Sequence, residues 1–184
     1  MKELSLNILD ISENSVKAGA SLIQITLDEK DNKLTLTIID DGCGMKRDIL
    51  EGVINPFYTT RTTRKVGLGV PLLKLAAEQT GGEVTIESQH ESEYPETHGT
   101  RVTAVFYMDH IDFTPLGDIV STIVTLVQGS PEIDFVFAHS TASGSVSLDT
   151  RELREVLEGV PLNTAEVLCW ISDNLKEQYD SFSK

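Results

Sequence analysis

The sequence predicts an α+β protein, and three observations carry that expectation. Near the start, "SLIQITLDEKDNKLTLTIID" alternates apolar and polar residues on both sides of a charged turn; "PLLKLAAEQTGG" is a helix with both ends marked; and a second round of helix and hairpin follows residue 109. Period-two alternation belongs to half-buried strands, whereas apolar spacings of three and four belong to helices.

In chain order, Asn7 to Ala20 ("NILDISENSVKAGA") reads as an amphipathic helix stopped at Gly19. Asn7, Asp10, Asn14 and Lys17 fall at steps of three, four and three, so they stack on one face, with Leu9, Ile11 and Val16 elsewhere on the wheel. The hairpin follows, its strands joined through "DEKDNK". Its second strand runs into "DDGCGM", where Gly42 and Gly44 break the ladder. "MKRDILEGVI" is a short helix and "NPFYTTRTTRKVGLGV", without a period, is a loop. Pro71 opens the next helix and Gly81-Gly82 follow it. "EVTIES" and "TRVTAVFYM" are two further strands. Beyond Asp109, Thr114-Pro115 caps a helix carrying Leu116, Ile119, Val120, Ile123, Val124 and Val127. "IDFVFAH" and "GSVSLD" form a second hairpin. Asp149 with Glu152, and Asn163 with Glu166, are capping-box spacings that start two final helices. The apolar stripe Ile119–Val127 is expected to pack on the preceding domain, since it would otherwise be exposed.

Composition narrows the function. The 184 residues are 40% hydrophobic and 24% charged, which suits a soluble globular protein. No apolar run approaches the roughly 18–20 residues needed to span a bilayer, and "MKELSLNILD" lacks the apolar core of a signal peptide. A cytoplasmic location with Cys43 and Cys169 reduced is expected. A net charge of −14 argues against nucleic-acid or anionic-membrane partners. That acidity is uneven. Gly52 to Ala77 holds no Asp or Glu but keeps Arg61, Arg64, Lys65 and Lys74, a local anion-friendly stretch, whereas the tail from Asp109 has 13 acidic and four basic residues.

Two glycine stretches stand out. Asp40-Asp41-Gly42-Cys43-Gly44 places a carboxylate at a strand end beside backbone that a ligand can approach closely. Gly67-Leu68-Gly69 leads into a helix N-terminus, where free N–H groups and the helix dipole favour an anion. Each alone is compatible with a plain turn.

In this order, with "ENSVKAGAS" before them and "NPFYTTR" between them, these boxes resemble the ATP-binding domain of the GHKL superfamily, which comprises histidine kinases, gyrase B, MutL and Hsp90-type chaperones. The first box resembles the MutL version, while "NPFYTTR" and "GLGVPLLK" resemble those of histidine kinases. The resemblance runs from Leu4 to Met108. It implies a Bergerat-type α/β sandwich, a mixed sheet with helices on one face, over residues 1–108, and leaves 109–184 as a small C-terminal α–β–β–α–α unit of unknown role. It further implies ATP and Mg²⁺ as ligands. Asn14 stands where the family holds Mg²⁺ with an amide oxygen, and Lys17 where histidine kinases reach phosphate. Asp10 occupies the position of the Glu that activates water in gyrase and MutL. Asp40 matches the Asp that accepts from the adenine amino group, with Gly42 and Gly44 letting the ring sit close and Thr100 supporting the contact. Arg61, Arg64 and Lys65 fall in the family's lid, and Met45, Thr60, Gly67, Leu68 and Gly69 complete the nucleotide set. Three departures accompany the likeness: the lid is short, Val70-Pro71 replaces the usual apolar-Ser pair, and Asp10 is one methylene shorter than Glu.

Two functional readings follow. The chain is a trans-acting protein kinase or slow ATPase in signalling, resembling the anti-sigma-factor serine kinases. Alternatively it is a nucleotide-gated binding module that docks a regulatory protein through its acidic tail. No room is expected ahead of the first box for a phosphoacceptor helix pair, and His90, His98, His110 and His139 are expected outside helices, so self-phosphorylation on histidine is not expected.

Overall fold

The computed structural model describes residues 3–54 and 69–182. The elements are α1 (Leu4–Lys17), β1 (Leu22–Lys30), β2 (Lys33–Asp40), α2 (Arg47–Ile54), α3 (Gly69–Gln79), β3 (Glu83–Gln89), β4 (Gly99–Tyr107), α4 (Ile119–Gly129), β5 (Asp134–Thr141), β6 (Gly144–Asp149), α5 (Thr150–Leu157) and α6 (Ala165–Asp180).

The first hairpin turns through Asp31 and Asn32 alone, both at positive φ (51° and 64°), with Lys30 paired to Lys33. Two left-handed residues match the natural twist of antiparallel strands, and Asp and Asn tolerate that conformation better than other side chains. All six strands form one sheet in the order β3-β4-β2-β1-β5-β6. Neighbours are antiparallel except β1 and β5, which run parallel from Leu22↔Asp134 to Asp28↔Ser140. Alternation then does the sorting: Ile23, Ile25 and Leu27 of β1, Leu34, Leu36 and Ile38 of β2, Ala104 and Phe106 of β4, and Phe135 and Phe137 of β5 are all buried. Ile8 of α1, Leu73 of α3, Ile123 of α4 and Ile171 of α6 belong to the same core. The architecture is the mixed sheet backed by helices that the sequence predicts.

The tail has the expected α–β–β–α–α order, and its hairpin extends the same sheet. Ile119, Ile123 and Val127 of α4 are buried, and α4 lies against α1 and α6. Several boundaries differ from expectation. α3 begins at Gly69, two residues before Pro71, which still lies in the first turn as the sequence predicts and where its missing N–H costs the helix nothing. α4 begins at Ile119 instead of after Pro115, with Asp118 as N-cap accepting from the Ser121 N–H at 2.9 Å. Thr114-Pro115 belongs instead to an irregular stretch that caps another helix. The carbonyls of Pro115 and Leu116 accept from the N–H groups of Leu4 and Ser5 (2.9 and 2.8 Å). Glu3, the N-cap of α1, makes no side-chain cap bond, so this stretch satisfies donors that the helix start leaves open. The N-cap position of α6 is Thr164, one residue after Asn163, and its side chain makes no cap bond.

His139 ties the tail to the first hairpin. It is 4% exposed, with Nδ1 2.7 Å from the Tyr179 hydroxyl and Nε2 3.0 Å from Glu29 Oε1. An ionised carboxylate only accepts, so Nε2 carries the proton donated to Glu29. Burial, with the Glu29 charge adding to it, pushes the Tyr179 phenol well above its ordinary value, which keeps its O–H available to Nδ1. His139→Leu is therefore expected to cost about 1–3 kcal/mol by leaving two polar partners unsatisfied, read as a lowered midpoint in urea denaturation. An unchanged midpoint would show that the link contributes nothing.

Candidate functional site

Among the described residues, Asp40, Gly42, Gly44, Met45 and Thr100 come together where β2 ends. Asp40 is the last residue of β2 and continues the alternation that points Leu34, Leu36 and Ile38 into the core, so its carboxylate is 8% exposed. Ser15 of α1 donates to Oδ2 at 2.5 Å and the Gly42 N–H donates to Oδ1 at 3.0 Å. Burial raises the Asp40 pKa, and the neighbouring Asp41 charge adds to this; hydrogen bonds from Ser15, Gly42 and the Thr100 backbone oppose it without cancelling it. Asp41 behaves differently. Its Oδ1 accepts from the N–H groups of Ser21 and Leu22 (2.7 and 2.9 Å), and its Oδ2 accepts from the Ser21 hydroxyl. Its partial burial alone would raise the pKa, yet these bonds hold it below the ordinary carboxylate range. Of the two adjacent acids, Asp41 pins the start of β1 and Asp40 faces the cluster.

Cross-strand register brings Thr100 to the same place. Asp40 pairs with Thr100 of β4, and Thr100 with Ser88 of β3. The Ser88 hydroxyl lies 2.9 Å from that of Thr100, donates to the Gly99 carbonyl at 3.1 Å and accepts from the Met45 N–H at 2.8 Å. Met45 and Thr100 are thus positioned by one serine. The glycines have packing reasons. A Cβ on Gly42 would lie 2.9 Å from Ala18 Cβ and 3.1 Å from Asp40 Oδ1. Gly44 has φ +67°, and a Cβ there would overlap the Gln89 carbonyl. His98 Nδ1 meets the Gly42 carbonyl at 2.7 Å.

α1 and α3 meet at the second part of the cluster. A Cβ on Gly69, the first residue of α3, would sit 3.0 Å from Asp10 Cβ, so the acid of α1 faces the helix N-terminus across a glycine. Asn14, one turn on, is exposed, and its carboxamide makes no hydrogen bond to another described residue. An open amide oxygen beside a carboxylate suits a hydrated Mg²⁺, which takes few protein ligands when phosphates supply the others.

The polar stripe of the first helix is not uniform. Asn7 is only 1% exposed and leaves the line; Leu4, Ile8, Ile11, Ser12 and Ser15 form the buried face, while Leu9 and Val16 are half-buried. Lys17 is largely exposed and its ammonium pairs with Glu13 at 3.5 Å. Thr60, Arg61, Arg64, Lys65, Gly67 and Leu68 lie outside the described residues. Sequence reasoning missed Ser15, Ser88 and His98. Ser15 directly follows Asn14 and carried a local signal; Ser88 and His98 act only through strand register and loop placement.

Among the described residues no helix is long and apolar enough to cross a membrane, and no three His, Cys, Asp or Glu side chains gather to hold a metal.

Comparison with known proteins agrees with this geometry. Residues 2–110 match the model of the histidine kinase-, DNA gyrase B- and HSP90-like ATPases. The chain is 32% identical over 89 residues to the sensor protein KdpD of Clostridium acetobutylicum, a match covering 46% of this chain and 10% of that protein. To the signal transduction histidine-protein kinase AfsQ2 of Streptomyces coelicolor it is 27% identical over 94 residues, covering 49% of this chain and 18% of that one. It therefore spans less than a fifth of the length of either relative. In structure it is similar to the Aquifex aeolicus MutL ATPase domain complexed with ADP, with a TM-score of 0.55 at 13% identity, over 86% of this chain and 70% of that one. Overlap of that extent reaches past residue 110, so the shared fold takes in part of the tail. With more than half of its length matched by the family model and its acid, glycines and helix start gathered at one sheet end, the chain belongs to the histidine kinase-, DNA gyrase B- and HSP90-like ATPase family.

Proposed function

We propose that this protein binds Mg-ATP and acts in signalling as a trans-acting protein kinase or slow ATPase. The observation that carries the reading is Asp40, a buried carboxylate at a strand end, oriented by Ser15 and Gly42 and in register with Thr100. A carboxylate so held accepts a hydrogen bond from an exocyclic amine such as adenine's. Asp10 faces Gly69 at the N-terminus of α3, a helix start that would support phosphate, and Asn14 lies one turn further along α1. Mg²⁺ held by Asn14 would neutralise phosphate charge, and Asp10 would take the proton from an attacking hydroxyl or water.

The second reading, a nucleotide-gated module without phosphoryl transfer, is favoured by the Lys17–Glu13 pair, which engages the one cation of α1. Paired substitutions decide between them. Asn14→Ala should remove the Mg²⁺ dependence of ATP binding. Asp10→Asn should leave binding nearly intact and abolish phosphate release from ATP and label transfer from γ-labelled ATP to lysate proteins. Turnover in Asp10→Asn equal to that of the parent would remove Asp10 from the mechanism; no turnover in either protein, with ATP bound, would leave the gated module as the function.

A further inference from the structure

The β5–β6 end of the sheet, separated from Asp40 by β1, carries an apolar groove of about 790 Å³ between α5 and α6. Val136, Leu148, Leu153, Val156, Val167 and Trp170 form its apolar lining. Val156 is 79% exposed and Trp170 51%, a concentration of uncovered apolar surface that soluble proteins keep for a partner. Glu152 and Glu166 also line the groove, are exposed, and make no ion pair with a described residue. The nearby arginines have their hydrogen-bonded partners elsewhere. Arg151 binds Asp149 (Nη2–Oδ2 2.6 Å), while Arg154 binds Asp134 (2.7 Å) and the Pro131 carbonyl (2.6 Å). The rim therefore keeps a net negative charge, compensated only in part by the Arg151 guanidinium, which feels Glu152 as well as Asp149.

From this surface we infer that the groove receives an amphipathic helix of a partner protein, its apolar face on Trp170 and Val156 and its flanking lysines or arginines on Glu152 and Glu166. The edge of β6 itself argues against the other common mode, addition of a strand. The Ser147 N–H donates to Gln178 Oε1 at 2.9 Å, and Gln178 Nε2 donates to the Ser147 carbonyl at 3.1 Å and to Asn174 at 2.7 Å. The Gln178 carboxamide thus stands where the peptide group of a neighbouring strand would, closing the middle of the edge. Insertion of side chains into the groove is what remains open.

Trp170 is the single tryptophan of the chain, so the groove carries its own reporter. The test titrates the full chain, without nucleotide, with a synthetic amphipathic Leu/Lys helix, a Leu/Glu helix of the same pattern, and a Leu/Lys peptide in alternating, strand-favouring order. A saturable blue shift of Trp170 emission with the Leu/Lys helix alone is expected. Its affinity should fall at least tenfold in Val156→Asp, an exposed position that the fold tolerates, and in the double variant Glu152→Lys, Glu166→Lys. No shift, an equal shift with the Leu/Glu helix, a shift indifferent to both variants, or preference for the alternating peptide would each overturn the proposal. Because nucleotide is absent, these outcomes are independent of whether the chain binds ATP.

Discussion

Asp40→Asn is expected to weaken binding of ATP and ADP by about ten- to a hundredfold. On the proposed reading, replacing the carboxylate removes a charge-assisted hydrogen bond to the adenine amino group, of order 1.5–3 kcal/mol, and every 1.4 kcal/mol is tenfold in affinity. The fold should not suffer with it. Burial raises the pKa of Asp40 above its unfolded value, so the ionised form is disfavoured in the folded state. The stabilising contribution of a raised carboxyl is present at low pH and is lost as pH rises through the folded pKa. At neutral pH the charge is therefore a cost, and the neutral amide is expected to leave thermal stability unchanged or slightly higher. The same shift predicts that nucleotide affinity falls on acidification at a higher pH than the ordinary aspartate value of 3.8. Calorimetric titration across pH checks both statements. Wild-type affinity in Asp40→Asn would remove Asp40 from the adenine site.

A chain ending at residue 110, the limit of the family match, is expected to lose cooperative folding. The tail supplies β5, which pairs with β1 along Leu22–Asp28, and α4, which covers α1. Without them Leu4 and Ile8 of α1 and Ile23, Ile25 and Leu27 of β1 lose cover, and β1 becomes an unprotected edge. Each large apolar side chain taken from full burial to water forfeits about 1.5–3 kcal/mol. Several such losses consume the roughly 5–15 kcal/mol that holds a typical domain together. Urea denaturation of residues 1–110 should show no sharp transition, and a cooperative one near that of the full chain would establish the tail as dispensable.

The strands and most helices were legible in the sequence because their signals are local. Alternation in "LIQITL" and "LTLTII" needs no knowledge of neighbours, since each second residue faces the same side of any sheet. The family boxes were legible for a related reason: Asp40, Gly42, Gly44 and Gly69 answer to steric demands that leave few alternatives. Boundaries failed where a long-range bond decided them. Thr114-Pro115 resembles a helix start, but its backbone is drawn into a non-helical course that caps α1, more than a hundred residues earlier.

By itself the sequence determined the α+β class and the family. Only the tertiary structure decided that Asp40 is held by Ser15 and lined up with Thr100 and Ser88, and that Asp10 confronts Gly69 while Lys17 turns to Glu13. It alone decided, too, that the acidic tail completes the sheet of the ATPase-family domain and opens a groove on its far end. The physical reason is that alternation and helical spacing say which face of an element is apolar, but not what covers it. Parallel pairing of β1 with β5, separated by a hundred residues of chain, leaves no local trace, because a strand's own residues look the same whichever neighbour satisfies their backbone.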